Sequence, residues 1–190
     1  MLDRANRDAA YIDALVDTLR RRTHNLYTTR QFMCAESVLL ALNEGLGGDL
    51  NEAQAVAMAA PFSAAMGESG CVCGALSGAV LACGLFLGQH APYRHRREMR
   101  RCARQLHDQF KLTHGATCCR VISRKFKNDP QGQFLNCADL TATTAAQATR
   151  LILRKRPELL PERDNEHLFR CASRIGGQLM RLRRFLFDPR

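Results

Sequence analysis

The chain has 190 residues, 46 % of them apolar, nine cysteines and a formal charge of +10. That length suits one domain with a real core, alone or with an extension, and the apolar share excludes wholesale disorder. No stretch reaches the roughly 18–20 uncharged apolar residues of a membrane span; the start Met1-Leu2-Asp3-Arg4 lacks an export pattern, so a cytoplasmic location is expected.

Helical periodicity runs through the chain. Asp3 to Arg22 carries Tyr11, Ile12, Leu15, Val16 and Leu19 as one apolar stripe, with acids early and arginines late, as the helix dipole favours. Thr28 with Gln31 reads as a capping box that opens a second helix through Cys34, Val38, Ala41 and Leu42, stopping at Gly45 and Gly47-Gly48. Asp49 to Glu52 opens a third, which ends near Pro61. After the small-residue loop from Ser63 to Gly70, Cys71 or Cys73 begins a helix to Leu87. Its Gly74, Gly78 and Gly84 each cost about 1 kcal/mol relative to alanine if interior, so close approach of a helix or buried cofactor is expected there.

Arg94 to Leu112 predicts a helix with Met99, Cys102, Ala103, Leu106 and Phe110 inward, and Thr117 can cap a short helix through Cys118, Cys119, Val121, Ile122 and Phe126. Asn128-Asp129-Pro130-Gln131-Gly132 reads as a turn, after which Asn136 caps a helix from Cys137 to Leu153. Pro157 and Pro161 mark a boundary, and Asn165 to Phe187 carries a last stripe of Leu168, Phe169, Ala172, Ile175, Leu179 and Leu182. No period-2 pattern of any length occurs. The expected class is all-α, a compact multi-helix bundle with a C-terminal helical extension: residues 1–30 form an N-terminal helix and linker, 31–153 a four-cysteine domain, and 154–190 a basic extension.

Cys34, Cys73, Cys119 and Cys137 fall in segments that read as helix starts, where unpaired N–H groups lower a thiol pKa. Converging from separate helices, four thiolates could ligate zinc, hold an iron–sulfur cluster, or form two exchanging dithiol pairs. In a reducing compartment stable disulfides are disfavoured, and Cys83, Cys102 and Cys171 read as small buried hydrophobes. No spacing is a local ligand motif, and no CxxC pair occurs.

The local contexts nevertheless resemble the C-GCAxxG-C-C family of redox-active proteins. Cys34-Ala35-Glu36-Ser37-Val38-Leu39, Cys73-Gly74-Ala75-Leu76-Ser77-Gly78-Ala79, His114-Gly115-Ala116-Thr117-Cys118-Cys119 and Cys137-Ala138-Asp139 follow one another in the family's order over about Gln31 to Leu153. The resemblance implies a small redox protein whose four cysteines act together. Similarity to the cysteine domain of split-Soret cytochromes implies a [2Fe–2S] cluster on Cys34, Cys73, Cys119 and Cys137, with Gly70, Gly74 and Gly78 letting backbone approach it. Cys71 and Cys118 stand beside signature cysteines and could substitute for them.

An oxidoreductase or an electron-transfer component both fit that reading, with an unidentified redox protein as partner. The metal-free alternative is a dithiol protein with Cys73 as attacker and Cys119 or Cys137 as resolver. A third reading makes the cysteines structural and the arginines Arg94, Arg96, Arg97, Arg100, Arg101 and Arg104 a binding face. Without tryptophan and with three tyrosines, stacking on single strands has little support, so nucleic acid is not expected. The last helix can pack back on the core or form a homodimer. Six histidines are scattered, and only His114 lies near a signature cysteine.

Overall fold

A computed structural model describes residues 2–160 and 172–187, with side chains for 9–160 and 172–186. It is all-α: among the described residues there is no strand, and seven helices exceed seven residues. These are α1 (Leu2–Thr28), α2 (Cys34–Gly45), α3 (Glu52–Ala59), α4 (Gly74–Gly88), α5 (Pro92–His114), α6 (Pro130–Lys155) and α7 (Arg174–Phe187). No helix among the described residues is long and apolar enough to cross a membrane.

Helix α4 is the centre. It contains no charged residue, and a helix apolar all round has to be covered on every side. It packs against α2, α5 and α6, while α6 also holds α1 and α2. Leu19 and Leu26 of α1, Leu39 and Leu42 of α2, Phe86 of α4, Phe110 of α5 and Ile152 of α6 are all buried in this one core. On α5, Cys102, Leu106 and Phe110 face inward and the arginines outward, as its periodicity predicts.

Two helix starts differ from the sequence expectation. Thr28 does not cap α2; α1 runs through it, and its hydroxyl donates back to the His24 carbonyl at 2.8 Å. The true start of α2 is Cys34, with the Met33 N–H donating to the Glu36 carboxylate at 2.8 Å. The Asn128–Gly132 run is not a free turn either. Asp129 accepts from the Gly132 N–H at 2.8 Å and Pro130 occupies the first helical position, so the same residues start α6. Asn136 is therefore inside that helix and caps nothing.

The link from α2 to α3 turns on one buried side chain. Asn43 donates from Nδ2 to the Leu50 carbonyl at 2.8 Å and accepts the Leu50 N–H at 3.2 Å. Asn43→Ala should cost about 1–3 kcal/mol, because both backbone groups of half-buried Leu50 lose their partner. Urea unfolding would show it as a lower midpoint at unchanged slope.

The last helix does not bury the stripe expected of it. Ile175, Leu179 and Leu182 are 73 %, 61 % and 54 % exposed, and Leu168 and Phe169 lie outside the described residues. Instead α7 is held by polar ties. Asn25 exchanges two hydrogen bonds with the Ala172 backbone, at 2.9 and 3.0 Å, and Arg184 pairs with Glu52 while its guanidinium lies 4.4 Å over Phe32.

Candidate functional site

Cys34 is the first residue of α2, Cys73 caps α4, Cys119 opens the short helix Cys119–Ile122, and Cys137 lies two turns inside α6. Three of the four are thus at helix starts as expected. Cys137 is not, because α6 begins at Pro130. All four are free thiols, and they line one cavity of about 400 Å³ together with Tyr27, Ala64, Glu68, Arg120 and Thr141.

The glycine motif builds this convergence by bringing α4 onto the start of α2. A Cβ at Gly74 would stand 2.5 Å from Cys34 Sγ and 2.8 Å from the Phe62 carbonyl oxygen. At Gly78 it would stand 2.5 Å from the Ala35 carbonyl oxygen. Only residues without a side chain allow that approach, and it seats Cys73 beside Cys34. Gly84 has no such neighbour within 4 Å. Gly70, at φ +88°, starts a second junction. Its carbonyl accepts from the Arg120 N–H at 3.0 Å, and the Cys73 N–H donates to the Thr117 carbonyl at 2.8 Å, so the segment bearing Cys73 lies along the one bearing Cys119.

A strained turn closes the cavity from another side. Ala64, Ala65 and Met66 have φ of 51°, 60° and 56°, a left-handed run that costs roughly 1–2 kcal/mol per residue for side chains with a Cβ. The turn aims the Ala64 N–H at the Cys34 sulfur. From α1, Tyr27 donates its hydroxyl to the Cys137 sulfur, its ring stacked on Phe134 at 5.3 Å.

Helix starts were expected to lower these thiol pKa values, yet three of the four are raised, Cys34 and Cys137 chiefly by burial. Burial pushes Cys34 up against the N–H groups that favour its thiolate. Burial, with the charges of Cys119 and Cys34, pushes Cys137 up to about 11. Cys73 is pushed up first by donating its thiol proton to Cys119 and then by burial. The same bond lowers Cys119 to about 7. At neutral pH the cavity therefore holds one thiol, Cys119, that ionises readily among three that stay protonated.

Thr141 adds a buried hydroxyl. Six other helical threonines, Thr18, Thr23, Thr28, Thr113, Thr144 and Thr149, return theirs to the carbonyl four residues back. The fully buried Thr141 Oγ1 has no protein partner and lines the cysteine cavity. Among the described residues, no three His, Cys, Asp or Glu side chains are grouped as a single metal ion requires. Four cysteine sulfurs on one cavity match the number of protein ligands a [2Fe–2S] centre takes, and the Thr141 hydroxyl is a donor beside them.

The remaining cysteines correct the expectation that disulfides are absent. Cys71 is bonded to Cys118 and Cys83 to Cys102, so neither neighbour of a signature cysteine is a free thiol. Cys83 and Cys102 are buried in the core as expected, but covalently joined; Cys171 lies outside the described residues. Sequence spacing could not give these pairs, whose partners meet only through tertiary contacts. Nor did it single out Tyr27, Arg120 or Thr141. For Thr141 a signal existed, one helical turn after Cys137; Tyr27 and Arg120 carry none.

The other candidates lie elsewhere. Arg97, Arg100, Arg101, Arg104 and Arg154 line an open hollow on the outer side of α5, where Arg104 pairs with Asp108 at 2.7 Å. His114 packs against Phe110 with the rings tilted and their centroids 4.6 Å apart, and it lines a third hollow with Asn136, not the cysteine cavity.

The family model described as "Putative redox-active protein (C_GCAxxG_C_C)" matches residues 32–151. No curated protein and no solved structure matches the chain.

Proposed function

Because this chain belongs to the redox-active C_GCAxxG_C_C family, we propose that it is an electron-transfer protein holding a [2Fe–2S] cluster on Cys34, Cys73, Cys119 and Cys137. One observation carries the reading: the four signature cysteines are free thiols, and all line one cavity. Four thiols are two more than dithiol exchange needs and the number a [2Fe–2S] centre takes.

When bound, the cluster supplies one-electron chemistry at a potential that its surroundings set. The chain's own part is to hold and tune the ligands. The N–H groups of Ala64, Ala35 and Ala75 point at the Cys34 and Cys73 sulfurs, and Tyr27 donates to Cys137. Donors of this kind withdraw charge from ligand sulfurs and raise the potential. Thr141 offers a further donor, and Arg120 places a positive charge at the lining. The partner is a second redox protein.

The test is anaerobic purification from iron-replete cells, with iron analysis and a visible spectrum. About two irons per chain and thiolate-to-iron absorption are expected, both lost in Cys34→Ser and Cys137→Ser. A colourless protein free of iron would overturn the reading.

A metal-free dithiol reading has one observation of its own, the hydrogen bond from Cys73 to Cys119. It assigns the roles opposite to the sequence expectation. Cys119, more exposed and ionised near neutral pH, attacks a substrate disulfide and expels one substrate thiolate. Cys73, 3 % exposed, then loses its proton, attacks Cys119 Sγ and releases the second, leaving a Cys73–Cys119 disulfide.

A further inference from the structure

We propose that Cys71 and Cys118 form a second redox pair, at the solvent side of the cysteine cavity, which exchanges its disulfide with Cys73 and Cys119. The outer pair then sets how many free thiols the cavity offers: four while Cys71–Cys118 is bonded, two once the bond has moved inward.

The placement of the two pairs carries this. Residues 70–73 and 117–120 run antiparallel, tied by the hydrogen bonds from Arg120 N–H to the Gly70 carbonyl at 3.0 Å and from Cys73 N–H to the Thr117 carbonyl at 2.8 Å. Between those ties stand all four cysteines, two on each segment. Cys71 and Cys118 are bonded with Cα atoms 4.4 Å apart, and Cys73 and Cys119 line the same cavity behind them. Cys71 is exposed and Cys118 half-buried, whereas Cys73 is closed to solvent. Cys119 is half-buried like Cys118, so an external thiol reductant or oxidant reaches Cys71 most readily and Cys73 least.

The exchange balances within the chain. The Cys119 thiolate attacks Cys71 Sγ, a Cys71–Cys119 bond forms, and Cys118 leaves as thiolate. Cys73 gives up its proton and attacks Cys119 Sγ, forming Cys73–Cys119 and releasing the Cys71 thiolate. One dithiol is oxidised and one disulfide reduced, and the proton from Cys73 is taken up by a released thiolate. Attack on Cys118 instead is disfavoured. Neighbouring residues have Cα atoms about 3.8 Å apart, less than the roughly 4.4 Å lower bound of ordinary disulfides. Sustained turnover draws electrons from an external dithiol, which reduces Cys71–Cys118. Cys83–Cys102, at 1 % and 2 % exposure, is sealed in the core and takes no part.

The full chain, with a chelator present to keep metal out, would be equilibrated anaerobically in mixtures of reduced and oxidised dithiothreitol. Acid quenching, alkylation and mass-spectrometric disulfide mapping follow. Molecules holding two disulfides should keep Cys83–Cys102 and divide the other between Cys71–Cys118 and Cys73–Cys119. The two forms should lie within about tenfold of each other, equivalent to some 30 mV, at one ratio from either direction. In Cys73→Ser a Cys71–Cys119 bond should appear beside Cys71–Cys118, in place of Cys73–Cys119. If Cys73 and Cys119 are both alkylated in every two-disulfide molecule of the unmutated chain, the proposal is wrong. Iron uptake is a separate readout: exchange without iron leaves this proposal standing and removes the cluster, and iron without exchange does the reverse.

Discussion

Replacing Cys73 with alanine should return the titration of Cys119 from about 7 to the ordinary thiol range near 8.5. The Cys73 thiol is the main cause of the depression, donating its proton to the Cys119 sulfur; burial opposes it. With the donor gone only burial remains, so the midpoint should settle at or above that range. At pH 7 the thiolate fraction of Cys119 should fall about fifteenfold for a shift of about 1.5 units. Ultraviolet thiolate absorbance of the metal-free protein against pH would read it, because the other free thiols ionise higher. Cys73→Ser, which keeps a donor, should retain most of the depression, and an unchanged midpoint in Cys73→Ala would refute the assigned cause. The linkage has two signs. The lowered pKa of Cys119 contributes stability above the ordinary thiol range, lost as pH falls through about 7. Cys137, raised to about 11, contributes stability below the ordinary range that is lost as pH rises toward that value.

Gly78→Ala and Gly84→Ala should move stability in opposite directions although both put alanine into α4. At Gly78 the new methyl would meet the Ala35 carbonyl oxygen at 2.5 Å and its Cα at 3.0 Å. Both are backbone atoms that cannot swing aside. Overpacking of this kind costs about 1–3 kcal/mol, more than the roughly 1 kcal/mol of helix propensity gained. At Gly84 nothing lies within 4 Å, so only the propensity gain remains, up to about 1 kcal/mol. Thermal unfolding should separate the two by several degrees, at about 2–4 °C per kcal/mol in a chain of this size. Gly78→Ala should also push α2 off α4 and part Cys34 from Cys73, lowering iron loading. Equal stability of the two variants would mean that the helices are not in contact at Gly78.

Where sequence and structure agree, a local cause acts alone. The opening of α3 within Asp49 to Glu52, the glycine stop of α2 and the charge-free α4 are each decided within a few residues. Where they part, a distant contact decides. Thr28 has the right neighbours for a cap, but α1 continues because Leu26 is buried against the core beyond it. Asp129-Pro130 suits a turn and a helix start equally, and packing of α6 against α1 selects the helix. The approach of α4 to the start of α2 was legible because glycine at positions 74 and 78 marks a close contact whatever causes it. Which sulfurs are bonded was not, since Cys71 meets Cys118 only through the pairing of two loops. The burial that keeps Cys34 and Cys137 protonated is likewise a property of the assembled cavity.

The two disulfides are nested. Cys83–Cys102 closes a ring that lies wholly inside the ring closed by Cys71–Cys118. With both bonds in place, a break in the backbone anywhere between residues 83 and 102, including the short link between α4 and α5, still leaves a single covalent molecule. Moving the outer bond to Cys73–Cys119 preserves the nesting. The arginine-bearing face of α5 and the cysteine segments thus remain one connected body in either state, tied through sulfur even where the main chain is cut.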